Sequence, residues 1–209
     1  MAVVSPRPGK VVCVGRSYAA HAAELNNPVP EEPLLFIKPG SCVQGLDGMS
    51  IPTDRGDVHY EAELALWLAA PLTKASAEDA WAAVGGIGLA MDLTLRDKQT
   101  ELKKKGWPWE VAKSFDGACA LGPQQAVPAD LPMQFTLDIN GNTVQAGDTA
   151  MMLFALPGLL SEMSQHFTLE VGDVVLTGTP AGVGVLKVGD RLAFMLNGQP
   201  YLETTVTQA

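Results

Sequence analysis

The chain has 209 residues, 47% of them hydrophobic, which is enough for one substantial core and short for two full domains. Its formal charge is -9, with a pI of about 4.7. That balance argues against a nucleic-acid partner or an anionic membrane surface, both of which rely on clustered Lys and Arg. The expectation is a single domain over residues 1–209. Cys13, Cys42 and Cys119 form no CxxC pair and leave an odd thiol, so neither a disulfide framework nor a zinc ribbon is indicated. No apolar run has the length of a signal peptide or a membrane span, and the expected location is cytoplasmic.

Val11-Val12-Cys13-Val14 is a short apolar run ended by Gly15, the pattern of a buried strand feeding a loop. Arg16 to Leu25 is then rich in helix formers, with Ser17 as the expected cap. On a helix, His21 and Glu24 share a face at i, i+3. Two readings stand for that pair: a solvated surface couple, or a general base oriented by a carboxylate. Asn26 to Pro33 holds three prolines in eight residues, which excludes a helix interior or a central strand. A loop of this kind after a catalytic histidine has the form of a closing lid, and a static surface loop fits equally. Leu34 to Ile37 is the next strand. Lys38 at its end is a surface lysine or a contact for a substrate anion, and in an acidic chain Arg16, Arg96 and Lys113 are the other cations that a local anion pocket would gather.

His59 to Leu68 sets Glu61 and Glu63 inside a run that otherwise reads as a buried strand. Residues two apart point to one face, about 7 Å apart at the base, so both side chains can converge on one ion. A half-exposed edge strand with both glutamates in solvent is the competing reading. Ser76 to Ala83 is a short helix opened by a capping-box pattern. Val84 to Met91 is small and apolar, and its Gly-x-Gly lacks the later glycine of a dinucleotide fingerprint. Asp92 to Gln99 has helical spacing that places Asp92, Arg96 and Gln99 on one face, either as an exposed Asp-Arg pair or as a third metal carboxylate beside an arginine and an amide. Lys103-Lys104-Lys105 before Gly106 reads as ordinary C-terminal helix chemistry, and Trp107-Pro108-Trp109 as core or dimer contact. Lys113 sits beside apolar residues, which is unusual for an unpaired lysine.

Beyond residue 130 the chain is mainly strand. Asn140-Gly141 and Asn197-Gly198 are hairpin turns, Leu156 to Phe167 is an amphipathic helix with Pro157 in its first turn, and His166 at its end reads as structural. Val174-Val175-Leu176 runs into the glycine-rich turn Thr177 to Gly184, which lacks the Gly-Lys-Ser/Thr ending of a phosphate loop. Its backbone N–H groups and the Thr179 hydroxyl can still receive a carboxylate.

Five segments in this order resemble the fumarylacetoacetate hydrolase family, in particular its short acylpyruvase branch. They are Gly15-Arg16-Ser17-Tyr18-x-x-His21-x-x-Glu24, Glu61-x-Glu63, Asp92-x-Thr94-x-Arg96-Asp97-x-Gln99, Lys113-Ser114-Phe115-Asp116, and Leu176-Thr177-Gly178-Thr179-Pro180-x-Gly182-Val183-Gly184. The resemblance implies an α+β, mainly β fold, a mixed β-sandwich roll with a few helices, and a homodimer. It implies Glu61, Glu63 and Asp92 as ligands of Mg2+ or Mn2+, His21 and Glu24 as a water-activating pair, Lys113 as a catalytic cation, and residues 16–33 as a segment that orders over bound ligand. Arg96, Gln99 and Thr179 are the implied substrate contacts, and Arg16 and Lys38, read from the residues as local cations, are expected to join them. Ser17 departs from the Asn that the family often carries. The implied reaction is cleavage of acylpyruvates, such as fumarylpyruvate or acetylpyruvate, to pyruvate and a carboxylic acid, and the same site would serve oxaloacetate decarboxylation. An isomerase or decarboxylase of 2-oxo acids from aromatic degradation, or a silent 2-oxo acid binder, are the alternatives.

Overall fold

The computed structural model describes residues 7–209; the start of the chain, residues 1–6, on which part of the leader expectation falls, lies outside the described residues. In the first half the elements are β1 (Lys10–Gly15), α1 (Ala19–Glu24), β2 (Leu34–Pro39), β3 (Val43–Gly45), β4 (Ser50–Ile51), β5 (Val58–Tyr60), β6 (Ala62–Leu68), α2 (Ala77–Ala82), β7 (Val84–Asp92), β8 (Thr94–Leu95) and α3 (Arg96–Lys105). The second half adds α4 (Glu110–Lys113), β9 (Cys119–Leu121), β10 (Gln134–Ile139), β11 (Asn142–Asp148), α5 (Leu156–His166), β12 (Val174–Leu176), β13 (Gly184–Val185), β14 (Arg191–Leu196), β15 (Gln199–Thr205) and β16 (Thr207–Gln208).

The fold is mainly β with few helices, the expected mixed roll. A seven-stranded sheet runs in the order β2-β1-β12-β6-β7-β9-β3. Within it β1 pairs β12 and β3 pairs β9 in parallel, while the other neighbours are antiparallel. Strand β6 lies at the centre and every residue in it is buried, as its unbroken apolar run requires apart from Glu63. Its partner β7 carries the small residues that let other groups approach. At Gly88 a side chain would collide with the Tyr201 hydroxyl, which accepts from Leu89 N–H at 3.0 Å.

A four-stranded antiparallel sheet, β11-β10-β14-β15, is built from two hairpins. Both turn on Asn-Gly, with Asn140 and Gly141 at φ 53° and 83° and Asn197 and Gly198 at 50° and 73°; the left-handed pair matches the twist of the strands it joins. Helix α2 is capped by Ser76, whose Oγ accepts from Asp79 N–H at 3.1 Å, worth about 1 kcal/mol. Helix α5 buries Leu156, Leu159, Leu160 and Met163 and packs on α2. Its apolar side is therefore used within the chain. Among the described residues no helix is long and apolar enough to cross a membrane.

Two boundaries differ from expectation. Helix α1 starts after Tyr18, not at Ser17, and Ser17 is wholly buried with its hydroxyl unpartnered. Asp92 ends strand β7, and α3 begins only at Arg96. The sheet ladder outweighs helical spacing there: Asp92 N–H donates to Glu61 O at 2.9 Å and Leu93 N–H to Ala118 O at 2.9 Å, bonds that no helix at these residues can make.

Candidate active site

Strand pairing builds the floor. Glu61 stands at the junction of β5 and β6, Glu63 two residues on, and Asp92 at the end of β7 opposite Glu61. The period of two turns both glutamates to one face, and the antiparallel register delivers Asp92 to the same place. All three are buried, and one oxygen from each lies within 4.8 Å of the others.

Three cations hold this cluster. Lys113 Nζ, 4% exposed, donates to Glu61 Oε2 at 2.8 Å, Asp92 Oδ2 at 2.7 Å and Thr94 Oγ1 at 2.8 Å. Arg96 pairs with Glu61 through one nitrogen and donates to Gln99 Oε1 at 2.8 Å through the other. Lys38 is 0% exposed and lies behind the cluster, with Nζ 2.7 Å from Asp92 Oδ1. It also donates to the carbonyls of Lys113 and Ala118, the latter at 3.0 Å. Lys38 is therefore walled off from the cavity, and its packing leaves no path for the substrate contact expected from the sequence.

The electrostatics follow from this layout. Burial pushes the Glu61 carboxyl up, but Lys113 and Arg96 outweigh it and hold Glu61 far below the usual carboxylate range. Glu63 goes the other way: burial first, then Asp92 and Glu61, push it well above that range. Burial opposes the charged ammonium of Lys38, yet Asp92 raises its pKa above that of a free lysine; Lys113 is raised likewise by Asp92 and Glu61 against its own burial.

The glycine-rich turn closes one wall. Gly178 has φ 90°, open to glycine and strained for other residues. A side chain there would strike Ser17. Its N–H donates to Glu63 Oε2 at 2.6 Å. Thr179 Oγ1 donates to Ala62 O at 2.9 Å and accepts from Gln145 Nε2 at 2.8 Å. Gln145 itself is buried, and it also accepts from Ala62 N–H at 2.9 Å and donates to Pro180 O at 3.0 Å.

The opposite wall is α1. His21, 6% exposed, places Nδ1 3.3 Å from Glu24 Oε2, and Glu24 Oε1 accepts from Gly182 N–H at 3.0 Å, tying α1 to the glycine-rich turn. Burial lowers the His21 pKa more than Glu61 and Glu24 raise it, so the ring is neutral at neutral pH. With Nδ1–H donating to Glu24, Nε2 is left as a bare acceptor.

These groups border one cavity, which brings together Arg16, His21, Glu61, Glu63, Asp92, Arg96, Gln99, Lys113 and Thr179. Glu24 lies behind His21. Three lining or supporting residues had no functional reading in the sequence. Gln145 sits in an alternating strand with nothing local to mark it. Trp109 stacks at a tilt on Phe36, 6.2 Å between centroids, and packs against the core as well as bordering the cavity. Lys103 had a signal that went unread, its place seven residues after Arg96 on the same helix stripe. His166 pairs on the surface with Glu162 at 3.0 Å. The three cysteines are buried and free, and burial pushes all three thiols up, away from reactivity.

The donor set fits a hard divalent cation. Three carboxylate oxygens converge without sulfur or imidazole, the chemistry of Mg2+ or Mn2+. Glu63 is driven to retain a proton when the oxygens face one another alone. Asp92 Oδ1 has the charge of Lys38 beside it but no aligned hydrogen bond, because that ammonium is directed at the carbonyls.

The sheet roll thus carries a buried three-carboxylate cluster, a lysine bridging two of its members and a histidine on the same cavity. The chain belongs to the fumarylacetoacetate (FAA) hydrolase C-terminal family, whose model matches residues 10–207. It is 48% identical over 195 residues to the oxaloacetate tautomerase YcgM of Escherichia coli K12, covering 90% of this chain and 89% of that protein. The fumarylpyruvate hydrolase of Pseudomonas aeruginosa, solved in complex with Mn2+ and pyruvate, superposes with a TM-score of 0.89 at 32% identity, covering 97% of this chain and 91% of the other. The 5-carboxymethyl-2-hydroxymuconate delta-isomerase of Mycobacterium smegmatis does so with a TM-score of 0.83 at 33% identity, covering 97% and 80%.

Proposed function

We propose that this protein is a divalent-metal enzyme of 2-oxo acids whose primary reaction is the enol–keto interconversion of oxaloacetate. The observation that carries the reading is the neutral, carboxylate-oriented ring of His21 set in the same cavity as Glu61, Glu63, Asp92 and Lys113. Likeness to an oxaloacetate tautomerase at 48% identity supports it.

Glu61, Glu63 and Asp92 would hold Mg2+ or Mn2+. When bound, such an ion supplies positive charge to the 2-oxo acid end of the substrate and lowers the energy of the enolate. Nε2 of His21 takes the proton from C3 of the keto form, and the imidazolium so formed gives it to the C2 oxygen to leave the enol; in reverse, Nε2 takes the enol O–H proton and the imidazolium delivers it to C3. Glu24 keeps the ring in the required tautomer and stabilises the transient imidazolium. Lys113 places a fixed positive charge beside the cluster where negative charge develops. Arg96, held against Glu61, and Gln99, held against Arg96, orient the substrate, with Thr179, whose hydroxyl proton is taken by Ala62 O, offering its backbone N–H to the carboxylate. The three cations around the three carboxylates balance when all are ionised, so a divalent ion would leave this cluster with a net positive charge, suited to an anionic substrate such as oxaloacetate. Residues 16–33 act as the lid that brings His21 over the substrate.

A second reading, hydrolysis of the C–C bond of acylpyruvates, shares the enolate and is favoured by the His21–Glu24 pair, which can equally activate water. Oxaloacetate decarboxylation needs the enolate alone. The test is a side-by-side assay of enol-oxaloacetate, acetylpyruvate and fumarylpyruvate with Mg2+, for the wild type and His21→Gln. Tautomerisation that greatly exceeds hydrolysis and falls by at least about a hundredfold in His21→Gln supports the proposal. Tautomerisation unchanged in His21→Gln would remove the proton-transfer role.

A further inference from the structure

The wall of the cavity above the carboxylate cluster carries cations with no anion. Lys103 lies in the last turn of α3, where its neighbours Lys104 and Lys105 are exposed. Lys105 pairs with Glu101 at 2.7 Å and lies 4.5 Å from the Trp107 ring centroid. Lys103 does neither. It is half-buried, lines the cavity, and sits with Nζ 5.1 Å from the Trp109 ring centroid, with no carboxylate partner among the described residues.

Arg16 lines the same cavity with φ 58°, a left-handed backbone unusual for a residue with a side chain. It likewise makes no ion pair among the described residues. The two are electrostatic neighbours. Burial first, then the like charges of Arg16, Arg96 and Lys113, bring the Lys103 ammonium down to about 8. In a chain of net charge -9, leaving two such groups unpaired over one cavity is unfavourable unless an anion joins them. Arg96, Gln99 and Lys103 stand at i, i+3 and i+7 on α3, so one helix stripe runs from the metal cluster outward. Lys103 stands about 10 Å along the axis from Arg96.

We infer that Lys103 and Arg16 form a distal carboxylate subsite, which selects 2-oxo acids bearing a second carboxylate over monocarboxylate 2-oxo acids. The Lys103 ammonium lies over the Trp109 ring at the cavity wall, where it meets the far carboxylate of a substrate whose 2-oxo acid end is held at the Glu61, Glu63 and Asp92 cluster. This rests on the proposed 2-oxo acid chemistry, and it adds the residues that distinguish one such acid from another.

Calorimetric binding to the Mg2+-loaded protein separates the two proposals. Oxalate probes the metal end alone, while 2-oxoglutarate adds a distal carboxylate. In Lys103→Gln, 2-oxoglutarate is expected to weaken by about tenfold or more, with oxalate changed by less than about twofold. Lys103→Arg, which keeps the charge, is expected to restore 2-oxoglutarate binding. Equal weakening of both ligands, no weakening of 2-oxoglutarate, or failure of the Arg variant to restore it would overturn the subsite. Absence of oxalate binding to the wild type would instead sink the metal-end reading, and the 2-oxoglutarate ratio between wild type and Lys103→Gln still decides the subsite.

Discussion

Lys38→Met separates a structural lysine from a substrate-binding one. The side chain is wholly buried, and its ammonium neutralises Asp92 Oδ1 at 2.7 Å while donating to the carbonyls of Lys113 and Ala118. Methionine fills similar volume, so little of the effect comes from a cavity. What remains is Asp92 without one of its two counter-charges, and main-chain carbonyls without donors. Breaking a buried ion pair from one side costs about 3–5 kcal/mol, a large share of the roughly 5–15 kcal/mol that holds a typical domain together. For a chain of this size the loss corresponds to a fall in Tm of roughly 6–20 °C. Urea and thermal unfolding of the chelator-treated protein measure it directly. Added Mg2+ should restore only part of the loss, since it replaces the charge facing Asp92 but not the donors to the carbonyls. A variant with wild-type unfolding and a KM raised tenfold would refute this reasoning and return Lys38 to the substrate.

Gln145→Leu leaves Ala62 N–H without its partner and takes from the Thr179 hydroxyl one of its two. It should destabilise the protein by about 1–3 kcal/mol in urea unfolding and raise KM more than it lowers kcat, because Thr179 loses one anchor. The pH dependence follows from His21, whose pKa is lowered from its ordinary 6.5 chiefly by burial. The folded form keeps the ring neutral, so the acid limb of kcat/KM should lie below pH 6.5. The same residue withdraws stability as pH falls below 6.5, where the unfolded chain binds the proton first. Glu24→Gln removes a neighbour that raises this pKa and should move the limb further toward acid; a limb above 6.5 in the wild type would contradict the burial argument.

Much of the architecture was legible because it rests on local rules. The Asn-Gly hairpins, the Ser76 cap, the Pro157 helix and the buried β6 run each follow from a pattern within a few residues. Glu61 and Glu63 were legible as a pair for the same reason, since a period of two fixes their common face whatever the rest of the chain does. Asp92 was not legible as a strand residue: its spacing to Arg96 and Gln99 suits a helix, and only the long-range ladder to Glu61 and the Leu93 bond to Ala118 decide otherwise. Lys38 and Gln145 were opaque because their roles are set by partners 54 to 80 and 34 to 83 residues away. Lys103 looked like its two neighbours until the turn of α3 put it alone against Trp109.

The account turns on a divalent ion held by Glu61, Glu63 and Asp92, and the most direct measurement is ketonisation of enol-oxaloacetate by protein stripped of metal, before and after Mg2+ or Mn2+ is returned. The prediction is loss of turnover on stripping, recovery on return of either ion in the wild type, and no recovery in Glu61→Gln. Full turnover by wild-type protein shown to be free of metal would contradict it.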